Sequence, residues 1–278
     1  MRHVVPPLAT PRSVSAITGM VRIAPADDLA GIVDHHWIVA WDARAGGPVR
    51  QEVLPDPSVN LTLEPGGALL YGVGSARSVH ELAGRGMVVA TKFRPGGFSG
   101  FLPGPVSALT GRVVSLGDAF GADGHASERA LVAAGDPAAA IAVMTGLLRR
   151  RRPASDPEHR LTMAILETMR TAGGDLTVGE LAERWAISSR TMQRLFARHV
   201  GVSPKHVLRR WRLQRAVDRL YAPADTSLAR LAVELGYSDQ AHMAADFRQT
   251  IRRTPSAVAA SRSEVEMSPG GEARPGLG

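Results

Sequence analysis

The chain has no cysteine in 278 residues. That excludes disulfide frameworks, thiolate zinc sites, iron–sulfur ligation, cysteine nucleophiles and thiol redox sensing together, and it fits a reducing compartment. Lysine is nearly missing too, with only Lys92 and Lys205 among 33 cations. Long hydrophobic runs are also lacking. The first twenty residues hold three prolines and no apolar stretch of the ~7–15 residues a secretory signal needs. No later stretch approaches the ~18 uninterrupted apolar residues of a membrane span. These absences predict a soluble, non-exported, cytoplasmic protein with no membrane partner.

What is present supports a globular fold. Hydrophobic residues at 44% and charged ones at 21% allow a buried core, and the length suggests about two domains. The net charge of +7 is unevenly spread: residues 1–148 carry 11 basic and 12 acidic side chains, residues 149–278 carry 22 and 14. The basic excess therefore sits wholly in the second half and is almost all arginine. Planar guanidinium forks suit bidentate bonds to phosphate oxygens and guanine edges, which makes nucleic acid the leading partner. The plainer alternative is an arginine-rich composition that merely solvates helix faces.

From Gly31 to about Leu116, short apolar segments alternate with Gly and Pro punctuation: HHWIVAW, EVLP, VNLTLEPGG, ALLYGVG, SVHELAGRG and MVVATKFRPGG. Runs of this length and composition predict antiparallel strands in a barrel or sandwich. Pro137 then opens AAAIAVMTGLLRR, a strong helix former with Asp136 as its cap. The run Arg149–Pro157, RRRRPASDP, marks a linker between a β-rich domain at 1–148 and a helical domain at 158–262. Helices are expected at 158–171, 177–185, 189–200, 204–221, 227–235 and 239–252. Residues 263–278 lack periodic apolar positions and are expected to be disordered. The fold class is α+β: a β-rich barrel-like or sandwich domain with flanking helices, then an all-α domain of two helix-turn-helix units.

The two units emerge when the helical half is laid over itself. Leu181-Ala182 matches Leu231-Ala232, Ala186 falls on Gly236 and Ile187 on Tyr237. After one inserted residue, Phe196 falls on Phe247 and Ser203-Pro204 on Thr254-Pro255. In the first unit Thr177 and Glu180 have capping-box spacing, Leu181 and Trp185 form a buried stripe, and Ser188 or Ser189 can cap the second helix. On that helix Met192, Leu195, Phe196 and Val200 share one side. Arg190, Gln193, Arg194 and Arg198 lie on the other, as a helix in a major groove requires. The second unit buries Leu228, Leu231 and Leu235, turns at Gly236, and opens its last helix at Ser238 or Asp239. Its outer face is less charged: Gln240 and His242 can bond bases or phosphates, Ala241, Ala244 and Ala245 carry no charge, and Asp246 would repel phosphate if it faced it.

Residues 231–258, LAVELGYSDQAHMAADFRQTIRRTPSAV, resemble the C-terminal signature of the AraC/XylS transcription regulators. The matching positions are Leu231-Ala232, Gly236-Tyr237, Asp239-Gln240-Ala241-His242, Phe247-Arg248 and Thr254-Pro255, and the resemblance covers roughly residues 158–260. Departures are Met243 for the usual Phe, Arg252 where Gly is usual, and Val258 where an aromatic is common. Met243 is adaptable enough to fill the core gap. Arg252 at a left-handed helix end would cost about 1 kcal/mol for its Cβ. The resemblance implies base-reading helices at 189–200 and 239–251, joined by the long helix 204–221. The base-reading candidates are then Arg190, Thr191, Gln193, Arg194, Gln240, Ala241, His242 and Ala245. Ser188, Arg198, Arg209, Arg210, Arg212, Ser238 and Arg248 are phosphate-contact candidates.

The β-rich half resembles the sensor or dimerisation domains of the same family. Trp37, Trp41, Tyr71, Phe93 and Phe98 are candidates to line an effector pocket with Arg94 as an anion anchor, although aromatics at strand spacing are more often plain core. Catalytic signals are weak. His35-His36, His80 and His125 lack the spacing of a cupin metal site, and adjacent His35 and His36 point to opposite faces of a strand. Gly97-Phe98-Ser99-Gly100 misses the nucleophile-elbow spacing, and Gly72-x-Gly74 lacks the third glycine of a dinucleotide loop. No catalytic residue, metal or cofactor is expected. The expectation is a bacterial transcription regulator, not an enzyme, with double-stranded DNA as partner. A small-molecule effector, a second copy of the chain as homodimer and, for an activator, RNA polymerase are the other expected partners. The competing expectation is a metabolite-binding or catalytic first half with the helical half as a targeting module.

Overall fold

The computed structural model describes residues 17–53, 55–74, 78–154, 156–172, 176–222 and 227–266. Its strands are β1 (Ile17–Ile23), β2 (Val33–Asp42), β3 (Val49–Val53), β4 (Asn60–Glu64), β5 (Gly67–Tyr71), β6 (Ser78–Leu82), β7 (Arg85–Phe93) and β8 (Val113–Ser115). Helices α1 (Leu116–Phe120), α2 (Ala122–Val132) and α3 (Pro137–Arg150) follow. The α+β organisation is the expected one, and all six expected strands are present. Two further strands, β1 and β8, gave no readable pattern. β1 is exposed along nearly its whole length, so it has no buried alternation, and β8 has three residues.

Six strands form one antiparallel sheet in the order β1-β2-β7-β4-β5-β8, and β3 and β6 pair separately. Register fixes its inner face. His36, Thr91, Leu61 and Leu70 lie in one row, Ile38, Val89, Leu63 and Ala68 in the next. This face receives α3, where the Thr91 hydroxyl donates to Met144 Sδ at 3.2 Å. Asp136 caps α3 by accepting from the Ala139 N–H at 2.8 Å. Of the two adjacent histidines, His36 is buried and bonds Thr91 Oγ1 at 2.8 Å, and burial lowers its pKa, with His35 adding to the effect. It is a neutral core residue.

The chain continues through α4 (Pro157–Thr171), α5 (Val178–Arg184), α6 (Ser189–His199), α7 (Pro204–Tyr221), α8 (Leu228–Glu234), α9 (Gln240–Ile251) and α10 (Pro255–Glu266). Helix α3 runs through Arg150 and Asp156 caps α4, which narrows the irregular stretch within the expected linker. Helix α10 corrects the expected disorder at 263–266. Pro255 starts it, Thr254 accepts from the Ala257 N–H at 3.2 Å, and alanines carry it forward. Residues 267–278 of the expected tail lie outside the described residues.

Contacts divide the chain into two compact units between Arg212 and Leu213. In the larger unit one continuous core joins sheet residues Leu61, Leu70 and Phe93, α4 residues Ile165, Leu166 and Met169, and Leu181, Met192 and Phe196 of the first helix-turn-helix. Gly201, at φ +94°, shows how close the packing is: an added Cβ would meet Thr110, Val106 and Val73 at 3.1 Å.

The duplication is exact enough to compare turn by turn. After α5, the Ile187 N–H donates to the Ala182 carbonyl at 3.0 Å, and after α8 the Tyr237 N–H donates to the Ala232 carbonyl at 2.9 Å. The turn residue is left-handed in both, Gly236 at φ 73° and Ala186 at φ 50°. Arg252 ends α9 in the left-handed region at φ 59°, the conformation expected there for a glycine. Ala186→Gly and Arg252→Gly should each raise the unfolding free energy by about 0.5–1 kcal/mol in denaturant titrations, because glycine removes the Cβ clash.

Candidate nucleic-acid interface

The first unit is set by its caps. Thr177 Oγ1 accepts from the Glu180 N–H, and Glu180 accepts from the Thr177 N–H at 2.7 Å, closing the expected capping box. Ser188 caps α6 by accepting from the Thr191 N–H at 3.1 Å, and its hydroxyl also bonds Thr191 Oγ1 at 2.9 Å. Met192, Leu195, Phe196 and Val200 are buried. The opposite face of α6 presents Arg190, Gln193, Arg194 and Arg198 to solvent, with Thr191 half-buried at its start. Arg190, Arg194 and Arg198 recur every four residues along this exposed face and form a positive ridge.

One member of that ridge is engaged. Arg194 donates from both terminal nitrogens to the Glu158 carboxylate, at 2.8 and 3.1 Å. The hydrogen bond from Arg194 holds the Glu158 carboxyl below its usual value; burial opposes it, and the charges of Arg194, Arg198 and His199 add to the lowering. Behind the ridge lies His199, which sequence reasoning missed. It is 1% exposed and shares a 2.6 Å hydrogen bond with Ser99 through Nδ1, while Nε2 is 3.9 Å from both Asp156 and Glu158. Burial lowers its pKa from 6.5; Asp156 and Glu158 pull it up, His159 and Arg198 push it down.

On α7 the three candidate arginines do not share a face. Arg209 and Arg212 are half-buried. Arg210 is 6% exposed and its Nε donates to the Pro55 carbonyl. Its expected role as a phosphate contact is corrected, since its guanidinium points into the protein. The reason lies beside it: burial would raise the Asp56 carboxyl, but Lys92 at 2.8 Å and the Arg210 charge outweigh this and hold it at about 2.

The second unit has a quieter outer face. Asp239 caps α9 by accepting from the His242 N–H at 2.7 Å, and Ser238 Oγ bonds His242 Nδ1 at 3.1 Å. Gln240, Ala241, His242, Ala245 and Arg248 are exposed. Met243 is fully buried and fills the gap of the usual Phe. Asp246 turns inward and accepts from the Tyr237 hydroxyl at 2.9 Å, so it takes no part in the outer face. Val258 is fully buried where an aromatic is common.

The expected effector pocket is not assembled. Phe93 lies in the helix-covered core beside Phe98 and Phe101. Trp41 belongs to a separate cluster with Ala43, Val49 and Leu82. Register puts Phe93 opposite Val33 and Trp41 opposite Gly86, the two ends of the β2–β7 pair. At a rise of ~3.3 Å per residue they are roughly 26 Å apart. Trp37 and Tyr71 lie on the sheet face opposite Phe93, where Trp37 donates to Asn60 at 3.4 Å and Tyr71 to Glu64 at 2.8 Å, and Arg94 is exposed. Period-two alternation assigns strand side chains to faces: Trp37, Trp41 and Tyr71 fall on one and Phe93 on the other, while Arg94 and Phe98 lie beyond the end of β7. Among the described residues no group of three His, Asp or Glu side chains is placed to hold a metal ion, and no helix is long and apolar enough to cross a membrane.

Comparison with known proteins adds the class. Residues 181–261 match the family model of a helix-turn-helix domain, and residues 21–115 match a domain of unknown function (DUF6597). The chain is similar to the HTH-type transcriptional activator RhaS of Pectobacterium carotovorum, 35% identical over 80 residues that are 29% of this chain and 28% of that protein. An uncharacterized HTH-type transcriptional regulator of Haemophilus influenzae is 31% identical over 99 residues, 36% of this chain and 33% of that one. This chain thus spans about a third or less of the length of the curated relatives it matches. A solved transcriptional regulator with an AraC-type DNA-binding domain, from Chromobacterium violaceum, is 22% identical over 41% of this chain and 100% of that one, with a TM-score of 0.35. The family match falls on the duplicated helical region, which is a helix-turn-helix domain.

Two outcomes follow from the buried polar groups. Arg210→Ala should lower the unfolding free energy by about 1–3 kcal/mol and leave the salt dependence of DNA binding unchanged; a shallower salt slope at unchanged stability would restore the phosphate assignment. His199, with its folded pKa below 6.5, contributes stability that is complete above that pH and is lost as pH falls through the folded value. His199→Gln should flatten the decline of stability below about pH 6.5 in melts across a pH series, while His36 and His206, lowered by burial in the same way, sustain the remainder.

Proposed function

We propose that the chain is a sequence-specific DNA-binding regulator of transcription that works in the cytoplasm. The observation that carries this reading is the α6 face. Arg190, Gln193, Arg194 and Arg198 stand exposed opposite a fully buried apolar stripe, in a capped helix that opens after a tight turn. Arg190, Thr191, Gln193 and Arg194 read base edges, and Ser188, Arg198, Arg209 and Arg212 contact phosphates. In the second unit Gln240, Ala241, His242 and Ala245 meet bases with little charge, and Ser238 and Arg248 meet the backbone. The first unit supplies most direct readout.

Control comes from the N-terminal half, through a small-molecule effector or self-association, and an activator would also meet RNA polymerase. The continuous core that joins the sheet to α6 supports this, because a change in the sheet is felt at the reading helix without a flexible intermediary. The reading assigns the chain no chemical reaction.

A binding selection of the purified protein against random duplex DNA tests the proposal. An enriched motif with two sub-sites about one helical turn apart, bound more than ~10³-fold tighter than scrambled sequence at physiological salt, is expected. Salt-sensitive binding with no motif would overturn it. On the enriched site Arg194→Ala should cost about 1–3 kcal/mol and relax preference at one base pair. Arg209→Ala should weaken all sequences alike and lessen the salt slope by about one.

A further inference from the structure

Arg194 differs from its neighbours on the α6 ridge in being held fork to fork by a carboxylate. Its two terminal nitrogens meet the two oxygens of Glu158 at 2.8 and 3.1 Å. Those are the parallel donors that a guanine edge would take through O6 and N7. The Nη1–Nη2 edge of one guanidinium cannot face both acceptors at once. Glu158 is held in place from several sides. Its N–H donates to the Asp156 cap at 2.9 Å, its carbonyl accepts from Thr162 Oγ1 at 2.8 Å, and the adjoining His159 bonds the Gly96 carbonyl at 3.0 Å. The pair itself is open to water, with Arg194 55% and Glu158 38% exposed, so exchange of partners needs no unfolding.

We propose that Glu158 is an intramolecular competitor for the base that Arg194 reads, so that binding exchanges a carboxylate for a guanine edge. This rests on the DNA-binding reading above. At a site without guanine the guanidinium keeps its carboxylate partner and adds no general attraction to phosphate. Glu158 thus lowers affinity most at the matching base, where the pair must be broken, and at a site without guanine it removes only the general attraction a freed guanidinium would add, so it tempers the gain from a match.

The test is a double-mutant cycle on the enriched duplex, with Glu158→Gln, Arg194→Ala and the pair. Glu167→Gln removes the same charge from the same helix and serves as control. In the presence of Arg194, Glu158→Gln should tighten binding by about twofold to fivefold, the range of an exposed bidentate pair. It should widen the ratio of enriched to scrambled sites, and in the Arg194→Ala background its effect should shrink to that of Glu167→Gln. Equal tightening in both backgrounds would reduce Glu158 to a distant charge and overturn the proposal. Weaker binding by Glu158→Gln would also overturn it, by making the carboxylate a support for Arg194. If the unaltered protein enriches no sequence, the DNA-reading assignment fails first and the proposal fails with it.

Discussion

The larger unit depends on one uninterrupted apolar core. Leu61, Leu70 and Phe93 of the sheet, Met144 of α3, Ile165 and Leu166 of α4 and Phe196 of α6 belong to a single packed cluster. Core packing of this kind is close to that of an organic crystal, so a displacement at one wall is resisted at the others. The first helix-turn-helix therefore takes its position from the β-rich half, although the chain between them is short and proline-bearing.

Polar groups set into that core fix its register. Ser99 meets His199, Thr110 Oγ1 donates to the Gly201 carbonyl at 2.7 Å, His159 meets the Gly96 carbonyl and Arg210 meets the Pro55 carbonyl. Apolar contact alone tolerates sliding, whereas each of these bonds is costly to leave unmade once buried. Both partners in each case come from segments far apart in sequence, so the bonds specify one packing of the first helix-turn-helix on the β-rich half. The same economy appears in the second unit, where Asp246 is tied to Tyr237. A carboxylate on α9 is thereby kept from that helix's exposed side.

The helix-turn-helix pair was legible because its signals are local. Thr177 and Glu180, Ser188, Gly236 and Asp239 act within a few residues of themselves, and a repeat broken by a single inserted residue exposes the plan twice. Six strands were legible for a similar reason, from runs bounded by Gly and Pro. What stayed hidden depends on partners distant in sequence. Arg209 and Arg210 look alike in any periodic reading, yet a rotation of one residue on α7 directs Arg210 toward Pro55. His199 follows the exposed Arg198 and gives no sign of Ser99, a hundred residues earlier. The aromatic pocket failed because composition gathers Trp41 and Phe93 while strand register separates them. Glu158 was placed only as the first residue of a helix, and its link to Arg194 is invisible without coordinates.

The shared core also bears on how such chains are cut and joined. The proline-bearing stretch around Pro153 looks like a natural seam for grafting the helical half onto another sensor. A cut there would strip water-excluding neighbours from Ile165, Leu166 and Phe196 and leave a sticky wall on the isolated piece. The first helix-turn-helix is in this sense not a detachable module. Its outer side belongs to the double helix it is proposed to read, and its inner side belongs to the β-rich half.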